Sequence, residues 1–291
     1  MTPITPEAYA AIGRIAFHEA GLFLPASKRA FVVSRLQRRL RHHGFLDFAP
    51  YLALLLSRGA GGAAEREAFV SALTTNVTEI FREPHHFEVL ATQLDTWRQD
   101  RFRSRSRFRI WSAGCASGEE PLSIAATCRA ILGSQWRIRV RILATDVDRA
   151  MIDRARNRAK TIDPPTIQRL AALPAGVSSL AGSDADPVRQ GIADLLRGIE
   201  FVQHNVLHEL SPSEFFDAIF CRNVTIYFSP EAQEQAHVRL RTRLAPGGLL
   251  AIGHSERLLG DVTDMEAVGR TAFRRKVASE SHYRAEPSSC C

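Results

Sequence analysis

No run in the 291-residue chain approaches the roughly 20 consecutive apolar residues that a membrane-spanning helix needs. Direct insertion into a membrane is therefore not expected. The opening MTPITPEAYA has neither a basic segment nor an apolar core, so no export signal is read and the expected location is cytoplasmic. Cysteine is scarce: the five residues Cys115, Cys128, Cys221, Cys290 and Cys291 show no metal-ligand spacing, and the only adjacent pair ends a polar tail. A disulfide framework is excluded in favour of reduced thiols. His85 and His86 are adjacent and cannot share a helix face as an i, i+4 ligand pair would, so no metal is expected. A regular GxGxxG run is missing, which disfavours a hydride-transferring dinucleotide enzyme. No nucleophile–His–Asp arrangement is legible either. What remains is the composition of a globular protein, 45% hydrophobic and 24% charged, with 38 Lys+Arg against 31 Asp+Glu. The net charge of +7 suits nucleic acid, an acidic membrane surface or an acidic protein equally well.

The first third of the chain reads as four short helices with brief connections, a small helical domain over residues 1–73. Thr5 before Pro6 and Glu7 starts the first, with Ile12, Ile15 and Ala16 on its apolar face. The second, about Ser27–His43, buries Val32, Leu36 and Leu40. Lys28, Arg35, Arg38, Arg39 and His42 gather beside that stripe, either a solvated face or a docking surface for an acidic helix. Asp47 caps a third helix carrying Tyr51, Leu54 and Leu55, which should stop at a flexible RGAGGAA segment, Arg58–Ala64. A fourth carries Phe69 and Leu73. In Leu73–Pro84, LTTNVTEIFREP, the polar Thr75, Asn76, Thr78 and Arg82 are interleaved with Val77, Ile80 and Phe81, so a buried segment there needs polar partners, such as a ligand. After a helix about Pro84–Leu94, the arginine-dense Trp97–Arg109 reads as an exposed linker.

From Arg109 strands and helices alternate, as in a parallel sheet covered on both faces. RIWSAGCASGEEPLS (Arg109–Ser123) is strand, small-residue turn, then helix. The small residues let a ligand approach the backbone, while Glu119 and Glu120 occupy the positive end of the helix dipole and repel phosphate. The expected ligand is a nucleoside without phosphate, and S-adenosylmethionine has that character. An ordinary α/β protein would show such a turn as well. Strand Val140–Thr145 ends in Asp146, placed to take ribose hydroxyls. Met151–Arg158 is helical, Thr161–Arg197 is a proline- and glycine-interrupted insertion, and strand Ile199–Gln203 delivers Asn205. Strand Phe216–Phe220, helix Pro230–Leu244, turn Pro246–Gly248, strand Leu249–Gly253 and a last strand Thr271–Lys276 complete a domain over residues 74–277, before a tail over 278–291. Gly114–Glu120, Asp146, Asn205 and Arg222–Tyr227 all fall at carboxyl ends of strands, where open α/β sheets bind ligands.

The pieces LTTNVTEIFREPHHF, IWSAGCASGEEPLSIA, LATDVD, FVQHNVL, FDAIFCRNVTIYF and PGGLLAIGHSE resemble, in order and spacing, the chemotaxis receptor methyltransferases (CheR type), which are S-adenosylmethionine-dependent protein-glutamate O-methyltransferases. The resemblance runs from about Ala11 to Lys276 and implies an N-terminal helical domain followed by a Rossmann-like methyltransferase domain. It implies a cofactor site lined by Asn76, Thr78, Arg82, Glu120, Asp146, Asn205, Val206, Arg222 and Asn223. Arg82 would pair with a carboxylate of cofactor or substrate, and Tyr227 would lie near the sulfonium. Glu120 and Asp146 suit the methionine amine and the ribose, with either assignment open. The implied substrate is a glutamate-bearing helix of a receptor's cytoplasmic coiled coil, met by the basic face of Arg35, Arg38 and Arg39. The protein would act as a monomer.

A glutamate is already ionised at neutral pH, so in-line methyl transfer requires no general base and explains the missing catalytic triad. Where family members carry a small β subdomain that docks a receptor's C-terminal peptide, Thr161–Arg197 has few strand-like runs, so strong peptide docking is not expected. Asp186–Gln190 could still pair with Ile199–Gln203 across a long loop. Two rival readings stand beside this one. A nucleic-acid methyltransferase fits the basic charge, but CRNVTIYF occupies the place of a D/N-P-P-aromatic run. A non-catalytic adaptor that senses S-adenosylmethionine would keep the same cofactor motifs.

Overall fold

The computed structural model describes residues 4–100, 106–158, 185–210 and 214–277. The N-terminal helices are α1 (Pro6–Ala20), α2 (Arg29–His42), α3 (Phe48–Leu56) and α4 (Ala60–Leu73). The expected stripes make one core: Ile12, Val32, Leu36, Tyr51, Leu55 and Phe69 are all fully or nearly fully buried. Thr5 caps α1 through Ala8 N–H and Asp47 caps α3 through Ala49 N–H. The segment read as flexible is largely helix. Helix α4 starts at Ala60 with Gly59 as its cap, because Glu65, Phe69 and Leu73 on its inner face anchor a first turn whose own residues carry no helix signal.

Helix α5 (His85–Gln99) runs five residues past its expected end, since Trp97 packs edge-on to Phe108 and belongs to the core rather than to an exposed linker. Beyond it stand β1 (Phe108–Ala113), α6 (Glu119–Leu132), the short α7 (Trp136–Arg139), β2 (Val140–Asp146), α8 (Arg149–Arg156), α9 (Ala185–Leu196), β3 (Ile199–Gln203), β4 (Phe216–Cys221), α10 (Pro230–Thr242), β5 (Leu244–Ile252), β6 (Met265–Gly269) and β7 (Ala272–Arg275). The strands form one seven-stranded sheet in the order β3-β2-β1-β4-β5-β7-β6, parallel except at β7 and β6. Alternate residues of each central strand enter opposite layers: Ile110, Ala218 and Phe220 on one side, Trp111, Ile219 and Cys221 on the other. Both faces are covered, so these strands read as continuous apolar runs.

Three expectations change in this region. Pro246–Gly248 is not a separate turn but a bulge within β5, where pairing jumps from Phe216–Leu244 to Ala218–Leu249. Asp186–Gln190 lies in α9 and pairs with no strand. Strand β6 escaped the sequence reading because MEAVG at the sheet edge has little apolar alternation, with only Met265 buried. Most of the insertion on which peptide docking turns, residues 159–184, and the tail 278–291 lie outside the described residues. Sheet order reverses between β1 and β4, and a crevice opens there beyond the strands' carboxyl ends.

Candidate functional site

At the end of β1 the chain turns through Gly114 at φ +88° and Ala116 at φ +46°. Gly114 and Cys115 N–H groups both donate to Thr145 O, at 2.8 and 2.9 Å, which pins the turn to β2. A side chain at Gly114 has no room: its Cβ would lie 2.2 Å from Val224 Cγ2. At the end of β2, Asp146 Oδ2 accepts from Ala116 N–H (2.8 Å) and Oδ1 from Asp148 N–H (2.9 Å). Burial pushes the Asp146 carboxyl up to about 6, and these N–H bonds offset only part of that effect. A buried acid held by backbone N–H groups in a cleft is a candidate for a functional site.

The two glutamates at the start of α6 diverge. Glu119 turns inward to Ser117 Oγ and pairs with the buried Arg158. Glu120 faces the crevice, with Oε1 accepting from Ser112 Oγ (2.6 Å) and Oε2 from Arg222 Nη1 (3.3 Å). Burial raises the Glu120 carboxyl despite Arg222 beside it. Arg222, at the end of β4, also donates to Arg82 O and lies 3.6 Å from Glu83 Oε2, so its guanidinium ties the 82–83 segment to the sheet. Arg82 itself donates to Val77 O (3.0 Å). Asn205, past β3, accepts from Leu207 N–H and donates to Glu19 O in α1. Asn76 and Thr74 both donate to Asp148 Oδ2, at 3.0 and 2.9 Å, tying the segment after α4 to β2. In that segment Ile80 is buried and Val77 is 77% exposed, so it is a half-open wall. Tyr227 lies in a 3-10 turn, Thr225–Tyr227, with Lys28 Nζ 5.6 Å from its ring centroid.

Asn76, Thr78, Arg82, Glu120, Asp146, Asn205, Val206, Arg222, Asn223 and Tyr227 thus line a single cleft, closed on one side by Ala20 and Leu22 of the helical region. Two carboxylates in the lining, Glu120 and Asp146, suit a cation and a ribose. Asp148, Glu83 and Glu256 hold this wall together without having been singled out in the sequence; for Asp148 the signal was present in LATDVD, two residues after Asp146.

On α2, Arg35 and Arg38 are exposed, and with Arg149 they border a shallow groove between α2, α4 and α8. Arg39 borders the same groove but is only partly exposed, at 22% of its side chain. It donates to the buried Glu65, which also accepts from Tyr51 Oη (2.8 Å) and lies 2.7 Å from His43 Nε2. Helical spacing put Arg39 with its neighbours, and a carboxylate 26 residues away ties its guanidinium down. Cys115, Cys128 and Cys221 are buried free thiols. His85 and His86 do come together, with ring centroids 4.2 Å apart, and with Glu83 they offer ligand atoms within 4.8 Å of one another. Both rings turn Nε2 to Arg270 O, at 3.0 and 3.2 Å, Glu83 Oε1 lies 3.1 Å from His254 Nδ1, and Glu83 Oε2 lies 3.6 Å from His86 Nδ1.

Comparison with known proteins agrees with this geometry. Residues 7–74 match the family described as CheR methyltransferase, all-alpha domain, and residues 76–274 match CheR methyltransferase, SAM binding domain. A chemotaxis protein methyltransferase of Salmonella typhimurium is 36% identical over 272 residues, covering 90% of this chain and 88% of that protein. One from Escherichia coli is 38% identical, covering 84% of this chain and 82% of its own. Chemotaxis protein methyltransferase 2 of Pseudomonas aeruginosa is 39% identical and covers 87% of each. With both of its regions matched and relatives aligned over more than four-fifths of their length, the chain belongs to the CheR methyltransferase family.

Proposed function

We propose that this methyltransferase transfers the methyl group of S-adenosylmethionine to glutamate side chains on the cytoplasmic helices of methyl-accepting chemotaxis receptors, giving glutamyl methyl esters and S-adenosylhomocysteine. The observation that carries the reading is the convergence of Asp146, Glu120, Arg82 and Tyr227 on one cleft at the carboxyl ends of the parallel strands. In this arrangement Asp146, at the end of β2, takes the ribose hydroxyls, and Glu120 faces the cationic amine. Asn205, Val206 and Asn223 flank the nucleoside, and Asn76 and Thr78 form the opposite wall. Arg82 and Tyr227 are the groups assigned to the reacting end.

A carboxylate oxygen lone pair of the substrate forms the new bond to the methyl carbon. The carbon–sulfur bond breaks, its electron pair neutralises the sulfonium, and no proton moves. The target glutamate is ionised at neutral pH, so the step needs neither a general base nor a metal. The chain's own task is alignment and removal of water, an effect that can reach about 7–11 kcal/mol in favourable cases. Arg82 draws the substrate carboxylate in, and the Tyr227 ring offers its face to the cationic sulfur. Residues 1–73, with Arg35 and Arg38 outermost, form the docking unit, and residues 74–277 the catalytic one. Among the described residues no helix is long and apolar enough to cross a membrane.

The test offers labelled S-adenosylmethionine and the purified protein a receptor cytoplasmic fragment, RNA and DNA. Alkali-labile label on the receptor fragment is expected. Label on nucleic acid, or cofactor binding with no transfer to any of the three, overturns the reading in favour of a nucleic-acid methyltransferase or a sensing adaptor.

A further inference from the structure

We propose that Glu256 is the positioning residue of this site: its carboxylate builds the loop that carries Asn223, Val224 and Tyr227, although it does not itself line the cleft. The inference rests on the reading of that cleft as the S-adenosylmethionine site. Glu256 lies four residues past the end of β5, only 7% exposed. Its Oε1 accepts from Val224 N–H (3.1 Å), Thr225 N–H (2.9 Å) and Thr225 Oγ (2.7 Å). Its Oε2 accepts from Asn223 N–H (2.8 Å) and Gly253 N–H (2.6 Å). Five donors converge on one buried carboxylate, and four of them are backbone groups.

Three of those amides are consecutive, which the chain can achieve only by putting Asn223 in the left-handed region, at φ +59°. Successive N–H groups turned inward in this way form an anion-binding concavity, here filled from within the protein. The approach also demands Gly253: a Cβ there would lie 2.8 Å from Asn223 N, 2.8 Å from Glu256 Oε2 and 2.5 Å from Asn223 Nδ2. Without an anion at this point, three amide dipoles would face one another and the loop would relax toward ordinary φ values. The loop's position matters to the cleft in two places. Val224 Cγ2 fills the space that the missing side chain of Gly114 leaves in the cofactor turn, and Tyr227 lies three residues further along the same loop. Glu256 therefore acts through the loop on both cofactor affinity and transfer.

The test measures S-adenosylhomocysteine affinity by calorimetry on the full chain, with thermal midpoints recorded alongside. Glu256→Gln keeps the size but turns an N–H₂ toward donors. An affinity loss of about tenfold or more is expected, on the scale of losing one hydrogen bond to a charged group. Glu256→Asp retains the charge on a shorter arm and should recover part of that loss; it serves as the comparison if the glutamine variant does not fold. The decisive readout is a double-mutant cycle with Asn223→Gly, which removes a cleft side chain while tolerating the positive φ. If Glu256 acts through the loop, Asn223→Gly weakens binding in the wild type but adds nothing in the Glu256→Gln background. A purely structural role predicts lowered thermal midpoints with additive effects on affinity. Additivity, or unchanged affinity in Glu256→Gln, overturns the proposal. Because the readout is product binding, it stands apart from the receptor assay: wild-type protein that binds S-adenosylhomocysteine yet methylates no receptor fragment defeats the proposed function and leaves this test intact.

Discussion

Asp146→Asn should separate the needs of the ligand from those of the fold. A carboxyl whose pKa moves from 3.8 when unfolded to about 6 when folded costs the native state about 3 kcal/mol at neutral pH. The sign follows from proton uptake. Between pH 3.8 and about 6 the folded protein binds more protons than the unfolded chain, so this contribution to stability is lost as pH rises through that window. Asparagine removes that cost, while its N–H₂ group comes to face Ala116 N–H or Asp148 N–H, a mismatch worth about 1–3 kcal/mol. The unliganded variant is thus expected to unfold no more than a degree or two below wild type, or above it. Binding should suffer. Hydrogen bonds from two ribose hydroxyls to an ionised carboxylate, partly replaced by water when lost, amount to about 3 kcal/mol, or about 100-fold in affinity for S-adenosylhomocysteine. Wild-type affinity should also fall by about tenfold from pH 7 to pH 5 as Asp146 protonates. The variant should fall less, any remainder reporting Glu120. Calorimetric titrations at both pH values and thermal scans of the apo forms check each part. Unchanged affinity removes Asp146 from the site, and a strongly destabilised apo variant refutes the claim that its charge is held at the expense of the fold.

Charge reversal of the exposed pair, Arg35→Glu with Arg38→Glu, should raise KM for a receptor fragment several-fold at low salt and leave S-adenosylhomocysteine affinity unchanged. The difference should shrink at high salt, since exposed charges are screened beyond about 8 Å at physiological ionic strength; equal KM values at low salt return α2 to a merely solvated face. Glu65→Ala should destabilise the protein by about 3–5 kcal/mol in denaturant titrations, because Arg39 and Tyr51 lose the carboxylate that satisfies them in a largely buried site. Burial alone would raise the Glu65 carboxyl, but hydrogen bonds from Arg39, His43 and Tyr51 outweigh it and hold it below the usual range. Its stabilisation is therefore present above the unfolded pKa and lost as pH falls through the folded value, so an acid-side decline should be steeper in wild type than in Glu65→Ala.

What the sequence determined by itself was local. Val32, Leu36 and Leu40 one turn apart, the continuous apolar run of β4 and the glycine turn after β1 each encode their conformation in near neighbours, and all appear where their patterns place them. The same holds for Asp146 and Asn205, because a strand followed by a turn puts its last polar residue at the sheet's carboxyl edge whatever the remaining chain does. Pairing across long separations was decided only by the tertiary structure. Arg39 is tied to Glu65, Arg222 closes over Glu120 from 102 residues away, and Glu256 reaches back to Asn223, Val224 and Thr225. Arg39 and Arg222 looked like solvent-facing or ligand-facing groups, since no periodicity records which buried carboxylate a cation will meet. Helix α4 followed the same logic, its glycine-containing first turn standing on the inner-face residues further along. Short-range sterics and hydrophobic period set the elements, whereas the cost of leaving a buried charge unpaired chose which of them hold one another in place.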